Sequence, residues 1–433
     1  MRFDQFIANR LRGSIANKSF SRVIIQIAIA SVALSVAVMI VASAMIHGFK
    51  TEISQKIFDF WGHIQITDAF ITPTFEATPI RYDSSIVDSL YDIDYIYYEE
   101  PRSFFGWELG SYRTRRTQGG VKRAYRYIQY PGVITAKDDF EGILLKGVGQ
   151  DFDPQFFDRY LTDGVGLRLN DHDAPAQVVI SQMTSQRLHL SVDDQIIIHF
   201  VRDGRQVPRR FTVVGIYKTG LAEYDRKIAF VHLTHLQRVL QWLPGQISGI
   251  EVLLDDIDDL EVMNDYMYQE ILPPEIYTRT VRDRSSSIFD WLDLQNINET
   301  IILSLMLIVC IVNMITTMLI LILERTNMIG ILKALGSSNW QVRKIFVRQA
   351  ASILLKGLII GNLLGLALGM LQKKFEFIKL REEDYYLAVA PIEFNFPMIM
   401  AINVGTLIIT ILFLILPSYL ISRISPSKAI RFS

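Results

Sequence analysis

The chain has 433 residues, half of them apolar and 21% charged, with a formal net charge of −1 and a positive mean hydropathy. That balance excludes a disordered tail and a nucleic-acid binder, which need low hydrophobicity or a basic excess. A single cysteine, Cys310, excludes a disulfide framework and a thiolate metal site.

The apolar residues gather in four blocks, each long enough to cross a bilayer. The N-terminal tail, 1–22, carries Arg2, Arg10, Arg12, Lys18 and Arg22 against Asp4. The first block, 23–46, predicts transmembrane helix 1. Its Ala42-Ser43-Ala44 has the look of a signal-peptidase site. The apolar run ahead of it is longer than a signal h-region, so a retained helix is expected.

Residues 47–300 are long enough for a large domain. Between 175 and 255 the pattern predicts an α+β class. Strands are expected at 178–181, 195–201, 209–217, 227–231 and 249–254, and helices at 183–190, 233–242 and 258–271. Asp203-Gly204 marks a hairpin turn. The half from 65 to 160 is aromatic and shows no clear period. Within it, 113–127 concentrates basic and aromatic residues around Gln118-Gly119-Gly120. It reads either as a surface for anionic headgroups or a partner, or as a solvated hairpin. The run Asp255-Asp256-Ile257-Asp258-Asp259 is expected to cap a helix and face solvent. Ile288, Trp291, Leu292 and Ile297 recur near helical spacing, which predicts that span two continues into the domain as one stiff helix.

Block 301–323 predicts helix 2. The link 324–349 carries Arg325, Lys333, Arg343, Lys344 and Arg348 against Glu324. Block 350–371 predicts helix 3. Its Gly357, Gly361, Gly365 and Gly369 share one face and invite close approach by another helix. Lys356 is expected to snorkel to the interface. A short loop of mixed charge, 372–397, leads to helix 4 at 398–421. The tail 422–433 carries Arg423, Lys428 and Arg431. Lysine and arginine concentrate on the cytoplasmic side, so both termini and 324–349 are placed there, with 47–300 and 372–397 outside. The fold class is a membrane protein: four transmembrane α-helices with a large α+β domain inserted between helices 1 and 2.

Catalytic chemistry is not visible. Among His47, His63, His172, His189, His199, His232 and His235, only His232 and His235 are close in sequence, without the glutamate of a HExxH site. There is no nucleophile elbow, phosphate loop or kinase signature. The chain is expected to be no enzyme, with no catalytic, metal or cofactor-binding residue.

The stretch from Glu324 to Ser338 reads ERTNMIGILKALGSS. Ile329, Leu332, Leu335 and Trp340 recur near helical spacing, with Lys333 off the stripe. Such a short amphipathic helix lies on lipid or offers an apolar stripe to a partner. The stretch resembles the coupling-helix region of FtsX/MacB-type ABC permeases, whose pattern is roughly R-T-x-E-I-G-I-L-K-A-[LI]-G-A. The Phe6-Ile7-Ala8-Asn9-Arg10 start, the order of spans and the tail Ser425-Pro426-Ser427-Lys428-Ala429-Ile430-Arg431 extend the resemblance over essentially the full length. Within that superfamily the chain is most similar to the LolC/LolE lipoprotein-releasing branch, on 6–10, 211–225 (FTVVGIYKTGLAEYD) and 384–391 (DYYLAVAP). Met328 stands where the family places an acid, and Lys428 replaces the acid of the tail.

The resemblance implies an inner-membrane permease whose 47–300 segment is a MacB-like periplasmic domain. The implied partners are a cytoplasmic ABC ATPase, which uses the ATP, and a second permease subunit, the same chain or a sibling. A lipoprotein substrate and a periplasmic lipoprotein carrier complete the set. Glu324, Arg325, Ile329, Gly330, Leu332, Lys333, Ala334, Leu335 and Gly336 are then the ATPase-coupling residues. Exposing lipid costs ~0.8 kcal/mol per CH₂, so extraction needs an apolar path. Val38, Met39, Met45, Leu305, Met306 and Val309 are the candidate lipid-cavity wall, methionine being adaptable. Alternatives are FtsX/MacB-like mechanotransmission to a periplasmic hydrolase or efflux partner, and a membrane-anchored sensor or adhesion protein without an ATPase.

Overall fold

The computed structural model describes residues 20–68, 78–82, 84–104, 107–136, 139–170 and 174–423. The 6–10 and 425–431 segments, His172 and most of each tail lie outside the described residues. The chain divides into two units, one holding the described residues up to Glu52, Asp290–Leu380 and those from Val389, the other Ile53–Phe289 with Arg381–Ala388.

The first unit rests on α1 (Phe20–Trp61), α2 (Ser286–Glu324), the short α3 (Thr326–Ala334), α4 (Asn339–Phe375) and α5 (Phe396–Ser418). The four longer helices are long and apolar enough to cross a membrane, and each carries one of the predicted blocks. Helix α2 is continuous through 286–300, as the apolar spacing there predicts. Ile288 and Leu292 of that stretch are buried, while Ile297 is exposed. The unit's core joins Val32, Val36 and Ile40 of α1, Cys310 and Met314 of α2, Leu354 of α4 and Leu414 of α5.

Glycine explains how α4 meets α1. An ideal Cβ on Gly361 would stand 2.8 Å from the Ala33 carbonyl oxygen and 2.8 Å from Val36 Cβ. Gly357 and Gly365 face α1 in the same way, whereas Gly369 meets Phe394. Polar side chains tie the other contacts, as in membrane bundles. Asn313 donates to Ser31 Oγ, and Ser43 Oγ donates to Glu299 Oε1 at 2.6 Å. Asn362 and Asn403 exchange hydrogen bonds of 2.6 and 2.9 Å. From sequence, Asn362 is only an interruption of an apolar block.

The second unit is α+β. Its ten-stranded sheet contains β1 (Ile64–Asp68), β2 (Val121–Ala136), β3 (Asp139–Val148), β4 (Leu161–Gly164) and β5 (Gln177–Ser181). It continues with β6 (Gln195–Arg202), β7 (Arg205–Tyr217), β8 (Ile228–His232), β9 (Gly249–Leu254) and β10 (Ile276–Thr280). The order is β10-β1-β9-β2-β3-β8-β5-β7-β4, with β6 paired to both β7 and β2. The path β2-β3-β8-β5-β7-β6 therefore returns to β2 and closes into a ring. Long strands make this possible: β7 lies on β6 over Arg205–Thr212 and on β5 beyond, while β2 pairs β9 with its first half and β3 with its second. Ile134, Leu145, Ile198, Phe200, Val213 and Phe230 of these strands are fully buried. The predicted strands and helices between 177 and 271 are all present within a few residues.

The 113–127 stretch is not a hairpin. Its first part belongs to the strand Trp107–Arg116, which pairs with Tyr97–Phe104 in a separate ribbon, and its second opens β2. Gln118-Gly119-Gly120 crosses between them. The acidic run caps a helical turn at Asp256 and exposes Asp255 and Asp258, as expected, but it also holds that crossing, and Asp259 is buried. Gln118 N–H donates to Asp259 Oδ2 at 2.6 Å and Gly120 N–H to Asp255 Oδ2 at 3.2 Å. Only Asp256 caps a turn, accepting from Asp258 N–H.

A charged pair lies inside this unit's core. Lys146 and Glu251 are both fully buried, with Lys146 Nζ 2.8 Å from Glu251 Oε2. Lys146 also donates to the Phe60 carbonyl in the last turn of α1. Gln65 Nε2 donates to Glu251 Oε1 at 3.1 Å, and Arg284 Nη1 donates to Gln65 Oε1 at 2.7 Å. The Arg284 guanidinium stacks 3.7 Å from the Trp61 ring centre. Burial pushes the Lys146 ammonium below its ordinary pKa, against the opposing pull of Glu251.

Nearby, His63 Nδ1 accepts the Leu254 N–H at 2.9 Å. Burial, with the positive charge of Lys122, lowers the His63 pKa to about 4. The folded state thus keeps His63 neutral where the unfolded chain, with a pKa near 6.5, takes up a proton. This stabilisation is fully present above about pH 6.5 and is lost as pH falls towards 4, by roughly 3 kcal/mol at the end. Thermal unfolding of the full chain across that window should show the loss, and His63→Asn should flatten it. An unchanged slope in the variant would remove His63 as its cause.

Candidate functional site

The link between α2 and α4 is built from local capping. Helix α3 ends at Ala334 with Leu335 as its C-cap, and Gly336 follows with φ of 91°. Gly336 N–H donates to the Lys333 carbonyl and Ser337 N–H to the Leu332 carbonyl, both at 3.0 Å. This paired closure needs a left-handed residue, which is glycine's role here. Ser338 then starts α4 with a reciprocal cap, Gln341 N–H donating to Ser338 Oγ and Ser338 N–H to Gln341 Oε1.

One face of α3 is anchored. Ile329, Gly330 and Leu332 are buried, and Met328 packs partly against the same apolar cluster, with Val342, Ile345 and Phe346 of α4. The methionine that replaces an acid thus faces inward. Lys333 Nζ donates to the Ile421 carbonyl at 2.6 Å, and Arg343 Nη2 to Ser422 Oγ at 2.6 Å. Arg343 also stacks 3.7 Å over the Tyr419 ring. Burial, then the charge of Arg343, lowers the pKa of Lys333.

The other face is open. Glu324, Asn327, Ile331, Ala334, Leu335 and Gly336 are exposed, and Arg325 is half-buried. The expected single stripe through Ile329, Leu332, Leu335 and Trp340 therefore splits. Leu335 is 79% and Trp340 62% exposed, because steps of three residues fall short of a 3.6-residue turn and the helix stops at Ala334. Asn327 and Ile331 are missing from the sequence-based set. Their four-residue spacing to Leu335 was the available signal.

The candidate lipid-cavity residues divide. Val38, Leu305 and Val309 are on exposed faces of α1 and α2, and Met45 and Met306 are half-buried. Met39 is buried in the helical core and packs between helices instead of on an open face. Lys356 is exposed.

Of the segments quoted for the resemblance, 211–225 and the 384–388 part of 384–391 lie in the second unit, where a Cβ built on Gly220 would stand 3.0 Å from the Tyr386 carbonyl oxygen. Asp225 accepts from Thr219 N–H, Thr219 Oγ and Gly220 N–H, at 3.1, 2.7 and 2.9 Å, fixing the 219–225 turn. Lys218 Nζ reaches Glu382 Oε2 at 2.5 Å, and Lys56 Nζ donates to the Tyr386 carbonyl at 3.0 Å. The paired histidines are held locally: His232 Nδ1 contacts Thr234 Oγ at 2.8 Å, and His235 Nε2 the Pro175 carbonyl at 3.0 Å.

The model of the MacB-like periplasmic core domain matches residues 27–267, and that of the FtsX-like permease C-terminal region matches 300–426. Over 430 residues, 95% of each chain, the protein is 24% identical to the lipoprotein-releasing system transmembrane protein LolC of Neisseria meningitidis serogroup B. It is 22% identical over 415 residues, 92% of each chain, to LolE of Haemophilus influenzae. With LolC of Xylella fastidiosa it shares 25% identity over 232 residues, 52% of this chain and 55% of that relative. The match thus spans about half of the Xylella relative and nearly all of the other two.

Proposed function

The chain belongs to the FtsX/MacB-type permease family, and from that premise we infer that it is the membrane subunit of a lipoprotein-releasing ABC transporter. It extracts lipoproteins from the inner membrane for a periplasmic carrier, driven by a separate ATPase. In this reading its α+β unit, inserted between helices 1 and 2, is periplasmic, and both termini and α3 are cytoplasmic. The observation that carries the reading is α3 itself, anchored through Ile329 and Leu332 and open at Asn327, Ile331 and Leu335.

An apolar stripe held on a rigid base is what a helix-in-groove contact requires. The ATPase groove receives Ile331 and Leu335, with Glu324 and Arg325 at its edge. The buried members, Ile329, Gly330 and Leu332, transmit motion to α4 without touching the partner. Because α2 is one helix from Ser286 to Glu324, a shift at its α3 end is delivered along its whole length. The exposed faces carrying Val38, Leu305 and Val309 are where an acyl chain leaves the bilayer, paired with those of a second permease chain.

The test is purification of the tagged chain from native membranes in mild detergent, with bound proteins identified by mass spectrometry. A stoichiometric ATPase with acylated lipoproteins is expected. An ATPase with a hydrolase or an outer-membrane channel would replace lipoprotein release by mechanotransmission or efflux. No ATPase at all would overturn the permease reading. Ile331→Glu and Leu335→Glu should leave thermal stability within about 0.5 kcal/mol, because both side chains are exposed. ATPase recovery should fall at least about tenfold, equivalent to about 1.4 kcal/mol of binding. Full recovery in both variants would mean that α3 is not the contact.

A further inference from the structure

The α+β unit contains a cleft of about 820 Å³, outside the faces considered so far. One wall is the outer face of the ring, where Pro131 and Val133 of β2 lie beside His199 and Val201 of β6. Alternate residues of a strand share a face, so these four form one surface, opposite to the packed interior of the ring. The facing wall carries Tyr224 and Ile288, with Arg279 and Arg284 among them.

The cleft owes its room to one position. Gly142 lies directly opposite Val133 in the β2–β3 ladder, so its missing side chain falls on the same face. A Cβ built there meets nothing within 4 Å.

Two features define the occupant. Charge is the first: Lys227, Arg279 and Arg284 line the cleft against one carboxylate, Glu223, which sits 4.0 Å from Lys227. Arg279 gives Nη2 to the Asp283 carbonyl, and Arg284 gives Nη1 to Gln65, which leaves each guanidinium further donors. The cleft therefore attracts an anion. The second feature is the backbone of the apolar wall. Over Val133–Thr135, β2 is hydrogen-bonded to β3 on one side and to β6 on the other, and β6 in turn to β7. Over that stretch the wall has no open strand edge, so there it offers a peptide no ladder to join. A hydrocarbon chain asks for no hydrogen bond, and the volume lies in the range of small-molecule sites.

We propose that this cleft binds an anionic single-chain amphiphile, a long-chain fatty acid or lysophospholipid. Its acyl chain lies along Pro131, Val133 and Val201, and its head at Arg279 and Arg284. The proposal does not depend on the transport reading, since it concerns only the α+β unit.

The full chain in phosphatidylcholine nanodiscs is incubated with a diazirine-bearing palmitic acid, irradiated, and the labelled peptides are mapped. Label is expected in 127–144 and 195–202. Gly142→Trp fills the cleft and should reduce labelling there at least about tenfold with an unchanged melting temperature, a loss that corresponds to about 1.4 kcal/mol. Arg279→Gln, at an exposed position, should weaken labelling without filling the cleft. A diazirine-bearing hexadecanol should label this region at least about tenfold less than the acid. Equal labelling by the alcohol, equal labelling of both variants, or label confined to the long helices would overturn the proposal. Displacement of the label by an acidic peptide but not by unlabelled palmitate would reassign the cleft to a peptide. Recovery of a bound ATPase is measured on the same variants. It stays unchanged if only the cleft is altered, which separates failure here from failure of the permease reading.

Discussion

Lys146→Met is expected to destabilise the α+β unit by about 3–5 kcal/mol, the usual result of removing one partner of a buried ion pair. The reason is what remains. Glu251, fully buried, would keep Gln65 Nε2 at 3.1 Å, Tyr125 beside it and the more distant charge of Arg284, but no direct ion-pair partner, and the Phe60 carbonyl would lose its donor. Aromatic rings screen the site from water: the ring centres of Trp61, Tyr125, Tyr127 and Phe152, all buried, lie 5.1 to 6.0 Å from Lys146 Nζ. The double variant Lys146→Met, Glu251→Leu should regain most of the loss, since a dry pair exchanged for apolar side chains is often close to neutral. Denaturant midpoints of the full chain measure both. A single variant as stable as the parent would show that the pair is hydrated, and the argument would fail.

The second large effect is expected at Gly361. Gly361→Leu forces a branched side chain against the Ala33 carbonyl and Val36 Cβ, each already 2.8 Å from an ideal Cβ. Overpacking a tight contact costs about 1–3 kcal/mol, and more where backbone must move, so α4 should separate from α1. Thermal melting in detergent and the yield of monodisperse protein report the change. Gly405→Leu is the matched control on α5, where a Cβ meets nothing within 4 Å. Equal melting of the two variants would mean that α1 and α4 do not touch along the glycine face.

The helical blocks were legible because a bilayer-length apolar run admits few other folds. The 177–254 strands were legible because β5, β6 and β7 alternate or run apolar between clear turns. The stretch before them was not, for reasons visible in particular residues. Strand β2 carries Pro131 and Gly132 in mid-strand, and β3 hides Lys146 at a core position, so neither shows a simple alternation. Their burial is decided by partners distant in sequence: β2 touches β9 and β6, and the ring closes only when all of them are present. The α3 site was half legible. Its helical character and the glycine that ends it follow from spacing and residue type. Which apolar residues remain outside depends on α4 and on Ile421 beyond α5, which share a cluster with Ile329 and Leu332 and leave Ile331 exposed.

The pairing of β1 with β10 has a consequence for how the chain is made. Ile64 is matched to Thr280, so the first strand of the sheet waits for the last before its ladder is complete. Non-local pairing of this kind is slow, because a long loop must close before any contact rewards it. During synthesis the β1 edge stays open while nearly the whole α+β unit is produced, and it is completed only just before the apolar α2 follows. Folding of this unit and membrane insertion of α2 are therefore adjacent events in time. The unpaired β1 edge is the point at which a nascent chain is most exposed to mispairing with another copy.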